Sequence, residues 1–452
     1  MSPIDQSAKA AKGASRDESA PAGAQVGGAA GMAARLAAIG LLRGALARRG
    51  GLDESLNTPV WRKLPPVDRG FARALAMATL RNLGRIDRTL QSKLKRRPPD
   101  AVFDLLRIGV AQLTALDVPD FAAVATTVKL AERTGDTRPY KGLINAVLRG
   151  VIRDGGLCAP IEAALPDWLA QRWLATYGQA AVSGLAAAAA DEPPTDLSLK
   201  RADELERWLE PLAAASLPAG QGLRTRMKGD VSDWPGFAEG AWWVQDAAAA
   251  IPVRLLAPQT HETVVDLCAA PGGKTLQIAA TGAQTVALDR SEVRLKRLQA
   301  NLERTGLRAE VVVAAAEAWD DPRQFDAVLL DAPCSATGTF RRNPDVLWGA
   351  RPGDIGKLAD VQHRLLDVAA ERVKPGGRLV YCVCSLEREE GETQILAFLR
   401  RNPAFRTDRA QPEALGAPAE SLTPEGWLRI LPGSWVETGG LDGFFAARLT
   451  RI

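Results

Sequence analysis

The chain has 452 residues, of which 46% are hydrophobic and 24% are charged, a composition typical of a globular protein with more than one domain. No apolar run reaches the roughly 18 residues that a membrane-spanning helix needs, which excludes an integral membrane protein. The first thirty residues lack the apolar stretch of a signal peptide, and the 5 cysteines and 2 histidines show no metal-ligand spacing. We therefore expect a cytoplasmic protein with reduced cysteines, no membrane contact and no bound metal.

The net charge of +4 is unevenly distributed along the chain. Residues 31–155 contain 22 Lys and Arg against 11 Asp and Glu, a net charge of +11, whereas residues 156–452 contain 32 basic and 39 acidic residues, a net charge of −7. A basic first part joined to a mildly acidic second part indicates a module that binds a polyanion. A solvated helical surface that happens to be basic is the alternative.

The first two segments of the chain differ in pattern. Residues 1–30 are rich in Ala, Gly and Ser and predict a disordered tail. Residues 31–157 carry apolar side chains at helical spacing, interrupted at Gly50-Gly51 and at Pro98-Pro99, which predicts an all-α bundle. The basic residues of this bundle that we expect to contact phosphates are Arg81, Arg85, Arg88, Lys93, Lys95, Arg96 and Arg97.

The remaining chain divides at about residue 235. Residues 158–235 combine two helical patterns, PDWLAQRWLATYG and ADELERWLEPL, with short strands and turn residues, which predicts a small α/β connector. In residues 236–452 apolar strands alternate with amphipathic helices, which predicts a doubly wound sheet with helices on both faces. The closing stretch, LDGFFAARLTRI, is predicted to be the last strand.

A loop in DLCAAPGGKT follows the first strand of this sheet. It ends like a P-loop but lacks the first glycine, because Cys268 occupies that position. Pro271-Gly272-Gly273 would let the backbone approach a ligand closely, and Asp289, at the end of the next strand, is suited to accept both hydroxyls of a ribose. The loop and Asp289 therefore indicate a nucleoside-containing cofactor.

Hydrolysis of ATP is the alternative for the same loop, with Asp331 as a magnesium ligand. Two features disfavour it. The first glycine of the P-loop pattern is missing, and Pro271 removes an N–H group from the would-be phosphate cradle.

Two cysteines, Cys334 and Cys384, each follow an apolar strand and are expected at the ligand-binding edge of the sheet. Each is followed by a serine at which a helix could begin, and a helix N-terminus would favour a thiolate. We interpret both as reactive thiols, and we interpret Cys158 and Cys382 as buried apolar side chains.

The motifs LCAAPGGKT, DAPCSATGTFRRNPDVLW and YCVCSLEREEGE resemble those of bacterial 16S ribosomal RNA cytosine-5 methyltransferases of the RsmB (Sun/Fmu) family. The basic first part, with LRIGVAQL, DVPDFAAVATTVKLAE and KGLINAVLRGV, is similar to the NusB-like RNA-binding domain fused to those enzymes. The resemblance covers residues 30–452. It implies a Rossmann-like class I methyltransferase domain, S-adenosylmethionine as cofactor, and cytosine in small-subunit ribosomal RNA as substrate.

The resemblance also implies residue roles. Cys384 matches the nucleophile that adds to C6 of cytosine, and Cys334 matches the cysteine that helps to release the product. Asp331 matches the aspartate that contacts the base, and we expect it to act as a carboxylic acid hydrogen-bonded to the N3/N4 edge of the cytosine. The family's aspartate near the adenine is replaced by Ala315, with Glu317 two residues further on. The residues that match the cofactor site are Cys268, Ala269, Ala270, Pro271, Gly272, Gly273, Lys274, Asp289 and Asp331.

Arg341 and Arg342 directly follow the Cys334 motif and are expected to hold phosphates beside the target nucleotide, with a solvated turn as the alternative. The target base is expected to be unpaired or flipped out, because a paired base cannot be reached by thiol and methyl donor together. Two other functions remain open. One is a transfer RNA cytosine-5 methyltransferase, and the other is a non-catalytic RNA-binding or antitermination-type protein with a relic methyltransferase domain, which Ala315 supports.

Overall fold

The computed structural model describes residues 29–47, 52, 55, 56, 58–218 and 222–452. The predicted disordered tail therefore lies outside the described residues, except for Ala29 and Ala30, which begin the first helix. Within the described ranges, none of the helices has both the length and the apolar character to cross a bilayer.

The first part of the chain is helical, as its apolar periodicity predicted. Its described helices are α1 (Ala29–Ala47), α2 (Pro59–Arg62), α3 (Pro66–Arg81), α4 (Leu83–Lys93), α5 (Asp100–Thr114), α6 (Asp120–Ala131) and α7 (Lys141–Arg153). The centre is α5, which is buried continuously from Val102 to Gln112 and packs against α3, α4, α6 and α7. Between α3 and α4 the backbone of Asn82 leaves helical geometry, with φ −109° and ψ 15°, so one predicted helix becomes two.

The connector consists of a helical segment, Asp167–Ala190, interrupted at Gly178, where φ is 81° and ψ is 173°, and a small antiparallel sheet. Its elements are α8 (Asp167–Ala190), β1 (Thr195–Leu199), α9 (Leu205–Leu209), β2 (Ala214–Ser216), β3 (Leu223–Thr225) and β4 (Trp242–Val244). The strand order is β2-β3-β1-β4. The predicted boundary at residue 235 is wrong, because β4 pairs with β1 and buries Trp242 in the core of the connector.

The last part of the chain forms a larger sheet with helices on both faces. Its strands are β5 (Thr263–Leu267), β6 (Gln284–Asp289), β7 (Glu310–Val313), β8 (Phe325–Asp331), β9 (Val373–Val383), β10 (Phe405–Asp408), β11 (Leu428–Ile430) and β12 (Phe444–Arg451). Its helices are α10 (Ala247–Leu256), α11 (Gly273–Ala280), α12 (Glu292–Thr305), α13 (Asp345–Gly349), α14 (Pro352–Glu371) and α15 (Glu392–Arg401).

The strand order of this sheet is β10-β12-β9-β8-β5-β6-β7, with β11 paired to β12. Strands β5 to β9 are parallel, and β10, β11 and β12 are added antiparallel. Alternate side chains face opposite layers: Val265 packs with α14 and α15, and Val264 with α10 and α11. The predicted doubly wound sheet and its closing strand are confirmed.

A buried ionic cluster joins the connector to the larger sheet, and it includes Arg341. This arginine is 2% exposed, lies 3.3 Å from Asp442 and 3.8 Å from Asp246, and donates a hydrogen bond to the carbonyl oxygen of Gly439. A guanidinium in this position cannot reach a phosphate. The prediction of a phosphate contact at Arg341 is therefore wrong, because the fold places its side chain among interior carboxylates.

Two further arginines belong to the same junction. Arg342 lies 2.7 Å from Asp246 and 3.4 Å from Asp196 of β1. Arg81, 7% exposed at the end of α3, donates to the carbonyl oxygen of Arg341, and burial lowers its pKa to about 10. The structure assigns both side chains to contacts between domains instead of the phosphate contacts that we expected.

The ionic cluster predicts how Arg341 contributes to stability. Arg341→Met would leave Asp442 and Asp246 buried with one cation fewer, and removing one partner of a buried ion pair typically costs about 3–5 kcal/mol. We expect the thermal unfolding midpoint to fall by at least about 5 °C, measured by circular dichroism. Arg96→Met, at an exposed position, is the control and should leave the midpoint unchanged; equal midpoints for the two variants would contradict a structural role for Arg341.

Candidate active site

The loops that follow β8 and β9 meet at the carboxyl edge of the large sheet. They bring the sulfur atoms of Cys334 and Cys384 to 3.5 Å from each other. Backbone hydrogen bonds join the loops on both sides of the pair, from the N–H of Ala332 to the carbonyl oxygen of Cys382 and from the N–H of Gly338 to that of Cys384, both at 3.0 Å. The sheet therefore places side by side two thiols that are 50 residues apart in the chain.

Among the described residues, no α-helix begins at either serine. The α-helices that follow the two loops begin at Asp345 and Glu392, and a single 3-10 turn, Thr337–Thr339, lies between Cys334 and the first of them. Cys382 is buried as predicted, whereas Cys158 is exposed in the extended segment after α7. The interpretation of Cys158 as a buried side chain is wrong.

The two neighbouring thiols differ in their surroundings. The hydrogen bond with Cys384 and burial both raise the pKa of Cys334 well above its ordinary value. A hydrogen bond joins the two sulfurs, and either thiol can be its donor.

Asp331 ends β8 next to these loops and contacts two side chains. Its Oδ2 accepts a hydrogen bond from Nζ of Lys274 at 2.7 Å, and its Oδ1 accepts one from the thiol of Cys382 at 3.5 Å. Burial on its own would lower the pKa of Lys274, but the charges of Asp331, Cys382 and Cys384 and the hydrogen bond to Asp331 together outweigh burial, and the net shift is upward. Lys274 thus lies paired with Asp331, and the role of Asp331 toward the base stays a prediction.

The loop 268–274 joins β5 to α11 and is fastened to the end of β6 by Asp289. One carboxylate oxygen of Asp289 accepts from the N–H of Ala270 at 3.1 Å, and the other accepts from the N–H of Ser291 at 2.8 Å. A carboxylate has about four lone-pair sites. The two backbone hydrogen bonds therefore leave capacity for further donors.

Glycine at position 272 is required by the backbone conformation and by packing. Its φ is +110°, and an added Cβ would lie 2.3 Å from Cδ1 of Leu298 in α12. At Gly273 the nearest atoms to an added Cβ belong to Gln245, at an ordinary 3.5 Å. The packing of the loop on α12 therefore excludes any side chain at position 272, and the expected close approach of the loop to a ligand stays a prediction.

Asp266, which precedes the loop, is a buried carboxyl group that sequence reasoning did not assign. Its Oδ2 accepts from the hydroxyl of Thr275 at 2.6 Å, whereas its Oδ1 is buried without a hydrogen-bond partner. Burial raises the pKa of Asp266 to about 7. This group therefore titrates near neutrality in the folded protein.

The segment after Cys384 is held by the connector helix α8, a contact that sequence reasoning missed. Nε1 of Trp173 donates to Glu387 at 3.0 Å, Arg172 pairs with the same carboxylate, and the hydroxyl of Tyr177 donates to the carbonyl oxygen of Leu386. A charge run such as LEREEGE usually indicates a solvated turn. Its position directly after a strand-end cysteine was the one signal that these carboxylates are interior.

The basic residues of the helical domain divide into two groups. Lys95 and Arg96 are exposed in the loop between α4 and α5. The side chains of Arg85, Arg88, Lys93 and Arg97 contact the carbonyl oxygen of Ala159 and the carboxylates of Asp167, Asp154 and Asp100, respectively. Of these, the pairs of Arg88 and Arg97 are exposed, and such surface pairs are weak enough for phosphates to replace the carboxylates.

This sheet order, with a loop at the reversal point between β5 and β8, defines a Rossmann-like methyltransferase, here joined to a NusB-like helical domain. Residues 253–450 match the family described as 16S rRNA methyltransferase RsmB/F, and residues 32–153 match the NusB family. The chain belongs to the RsmB/F family of 16S rRNA methyltransferases, as its relatives show.

The curated relatives are similar over most of the chain. Ribosomal RNA small subunit methyltransferase B of Vibrio cholerae is 36% identical over 411 residues, which covers 86% of this chain and 91% of that protein. The protein of the same name from Salmonella arizonae is 38% identical over 417 residues, covering 87% and 93%. The crystal structure of PH0851 has the same fold, with a TM-score of 0.72 at 24% identity and coverage of 92% and 98%.

The raised pKa of Asp266 predicts a pH-dependent stability. The folded protein holds this proton more tightly than the unfolded chain, whose aspartates titrate near about 4. The free energy of unfolding therefore falls as pH rises from about 4 to 7. Asp266→Asn removes this loss of stability. We expect the free energy of unfolding of the variant, measured by chemical denaturation, to equal that of the wild type near pH 4 and to exceed it at pH 8.

Asp326 provides the control of opposite sign. Burial would raise its pKa, but hydrogen bonds from Lys374 and Thr263 outweigh burial and lower the pKa to about 2. The contribution of the ionised Asp326 carboxylate to the free energy of unfolding is present above about pH 4 and is lost as pH falls toward 2. Asp326→Asn should therefore be less stable than the wild type at pH 8; a loss of stability at pH 8 in both variants would contradict the assignment for Asp266.

Proposed function

We propose that this chain is an S-adenosylmethionine-dependent RNA cytosine-5 methyltransferase that modifies 16S ribosomal RNA through a covalent bond between Cys384 and C6 of the target cytosine. The observation that carries the proposal is the pair of thiols, 3.5 Å apart, at the carboxyl edge of the sheet. Membership of the RsmB/F family supports methyl transfer. The names of the two relatives described above, both ribosomal RNA small subunit methyltransferase B, support ribosomal over transfer RNA as substrate.

The residues around loop 268–274 fit the proposed cofactor, which supplies an electrophilic methyl group. Asp289 retains acceptor capacity for the ribose hydroxyls, and the loop lies beyond β5 at the point where the strand order reverses. Glu317 is our candidate for the adenine side in place of Ala315. Burial is the main cause that raises the pKa of Cys268 to about 12, and the negative charge of Glu317 contributes to the same upward shift. The carboxylate of Glu317 therefore lies close enough to act electrostatically on the loop.

The chemistry begins at Cys384, because C5 of cytosine is too weak a nucleophile to take a methyl group directly. The thiolate of Cys384 adds to C6, forming an S–C6 bond and moving an electron pair toward C5. C5 uses this pair to bond the methyl group, and the sulfur of the methyl donor keeps the electrons of the bond that breaks. A base must then remove the proton on C5, so that the electrons of the C5–H bond form the C5=C6 double bond and Cys384 leaves as a thiolate.

Cys334 is suited to remove that proton because its acidity depends on Cys384. The hydrogen bond and charge of Cys384 raise the pKa of Cys334 in the free enzyme. Once the sulfur of Cys384 is bonded to C6, that charge is gone and this influence ends. Cys334 then releases its proton to solvent more readily, and the resulting thiolate can take the proton from C5.

Asp331 orients the base in this proposal. As an anion held by Lys274, its carboxylate accepts a hydrogen bond from the N4 amino group of cytosine and does not donate to N3. The cation on its far side keeps the carboxylate directed at the edge of the sheet. Asp331 thereby distinguishes cytosine, whose N4 is a donor, from uracil, whose O4 is an acceptor.

The helical domain supplies sequence-independent affinity for RNA. A basic surface for the ribosomal RNA backbone is formed by the exposed side chains of Lys95 and Arg96. Arg88 and Arg97 join this surface when RNA phosphates replace their present carboxylate partners, Asp167 and Asp100. We expect the enzyme to act in the cytoplasm, and its target cytosine to be unpaired or flipped out.

A trapping experiment with 16S RNA and tritiated S-adenosylmethionine distinguishes the roles of the two cysteines. Cys384→Ala should abolish methylation, because no S–C6 bond forms. Cys334→Ala should form that bond but release product slowly, leaving a covalent RNA adduct visible as a slower band in denaturing electrophoresis. Full turnover by Cys384→Ala would refute the mechanism.

Cys158→Ala is the matched control, since this cysteine is exposed and lies outside the site. It should methylate RNA at the wild-type rate and leave no adduct. If it behaved like Cys334→Ala, the adduct would reflect non-specific thiol chemistry.

A further inference from the structure

Glu390 is buried behind the two cysteines and receives hydrogen bonds from both of their loops. Its Oε1 accepts from the N–H of Ser335 at 2.9 Å and from Nε2 of Gln362 at 3.1 Å. Its Oε2 accepts from the hydroxyls of Ser335 and Ser385, both at 2.5 Å. One carboxylate therefore holds four donors from three separate segments of the chain.

Each serine in this network directly follows one of the two cysteines. Ser335 follows Cys334, Ser385 follows Cys384, and the two hydroxyl oxygens lie 3.1 Å apart. Gln362, on α14, also donates to the carbonyl oxygen of Pro333 and so fixes the Cys334 loop from its other side. The distance between the two sulfurs is thus coupled to a single carboxylate.

The backbone of Glu390 is fixed as well. The hydroxyl of Tyr381 in β9, two strand positions before Val383, donates to its carbonyl oxygen at 2.5 Å. Glu390, Tyr381, Ser385 and Gln362 are each fully buried. The network is therefore an interior one, where hydrogen bonds are strong and a missing partner is costly.

Glu390 differs from the acidic residues around it in having no cation. Glu387 and Glu389 pair with Arg172, and Glu392 pairs with Arg429. Among the residues that the structure describes, Glu390 forms no ion pair. The groups that stabilise its carboxylate are instead the four hydrogen-bond donors, three of which belong to Ser335 and Ser385 beside the two cysteines.

We propose that Glu390 is a positioning residue that holds the Cys334 and Cys384 loops at one fixed separation, so that both sulfurs can act on the same pyrimidine ring. This inference rests on the proposed function, in which Cys384 bonds to C6 and Cys334 removes a proton from the adjacent C5. These two atoms are neighbours in one ring, so the sulfurs must approach it together. A small displacement of either loop would leave one sulfur too far from its atom of the ring, so that addition to C6 and removal of the C5 proton could no longer both occur.

Three variants test the positioning role. Glu390→Ala removes all four hydrogen bonds; we expect kcat for RNA methylation to fall about 10²-fold, the effect typical of a displacement of roughly 1 Å. Ser335→Ala with Ser385→Ala removes the links to the loops while leaving Glu390 in place, and should also lower kcat. Glu390→Gln preserves the network, because its amide oxygen can accept from Ser335 and Gln362 while its amino group donates to the serine hydroxyls, so it should recover most of the activity.

The readout separates positioning from a loss of folding. KM for RNA and Kd for S-adenosylmethionine should stay within about 2-fold of the wild type, because neither ligand is proposed to touch Glu390. The rate of covalent adduct formation with 5-fluorocytosine-containing RNA should fall together with kcat in Glu390→Ala. This result differs from that of Cys334→Ala, which should still form an adduct.

Glu262→Ala is the matched control, because this carboxylate also anchors the sheet, through Arg378, but at the opposite end of the strands. It should leave kcat unchanged. Wild-type kcat in Glu390→Ala would overturn the positioning role, as would a Glu390→Gln enzyme no better than Glu390→Ala. Failure of the wild type to methylate RNA would instead refute the proposed function, so the two failures are distinguishable.

Discussion

The parallel pairing of β8 with β9 is the constraint on which the site depends. Each strand ends at the same edge of the sheet, so the loops that carry Cys334 and Cys384 leave it side by side. The backbone hydrogen bonds that continue this pairing beyond the strands bring the two sulfurs to 3.5 Å. The neighbouring pairing of β8 with β5 then places loop 268–274 beside Asp331, and Lys274 closes that contact with an ion pair.

Buried carboxylates occur both where domains meet and at the carboxyl edge of the large sheet. At the domain junction Arg341 and Arg342 pair with Asp246 and Asp442, although burial still raises the pKa of Asp442 to about 7. At the carboxyl edge, Asp266 has one oxygen without a hydrogen-bond partner and a pKa raised to about 7 by burial. Buried groups with incomplete compensation are common at functional sites, because their protonation responds to what binds next to them.

The connector is more than a link between two domains. Through Arg172, Trp173 and Tyr177, helix α8 holds the segment that follows Cys384. Glu390, at the end of that segment, binds the loops of both cysteines. Helix α8 thus contacts both the helical domain, through the pair of Arg88 with Asp167, and the segment that follows Cys384, which gives the connector a structural reason to accompany the methyltransferase domain.

Features that depend on local pattern were predictable from the sequence. The period of apolar residues identified the helical first part and the doubly wound sheet, because that period follows from helix and strand geometry. The shared edge of Cys334, Cys384, Asp289 and loop 268–274 was also predictable, since parallel strands end together. Which charges are interior became evident from the folded chain: Arg81 and Arg341 are buried, Asp331 is paired with Lys274, and Glu390 spans both loops. These contacts join segments that lie 55 to 260 residues apart in the chain, and no local period records them.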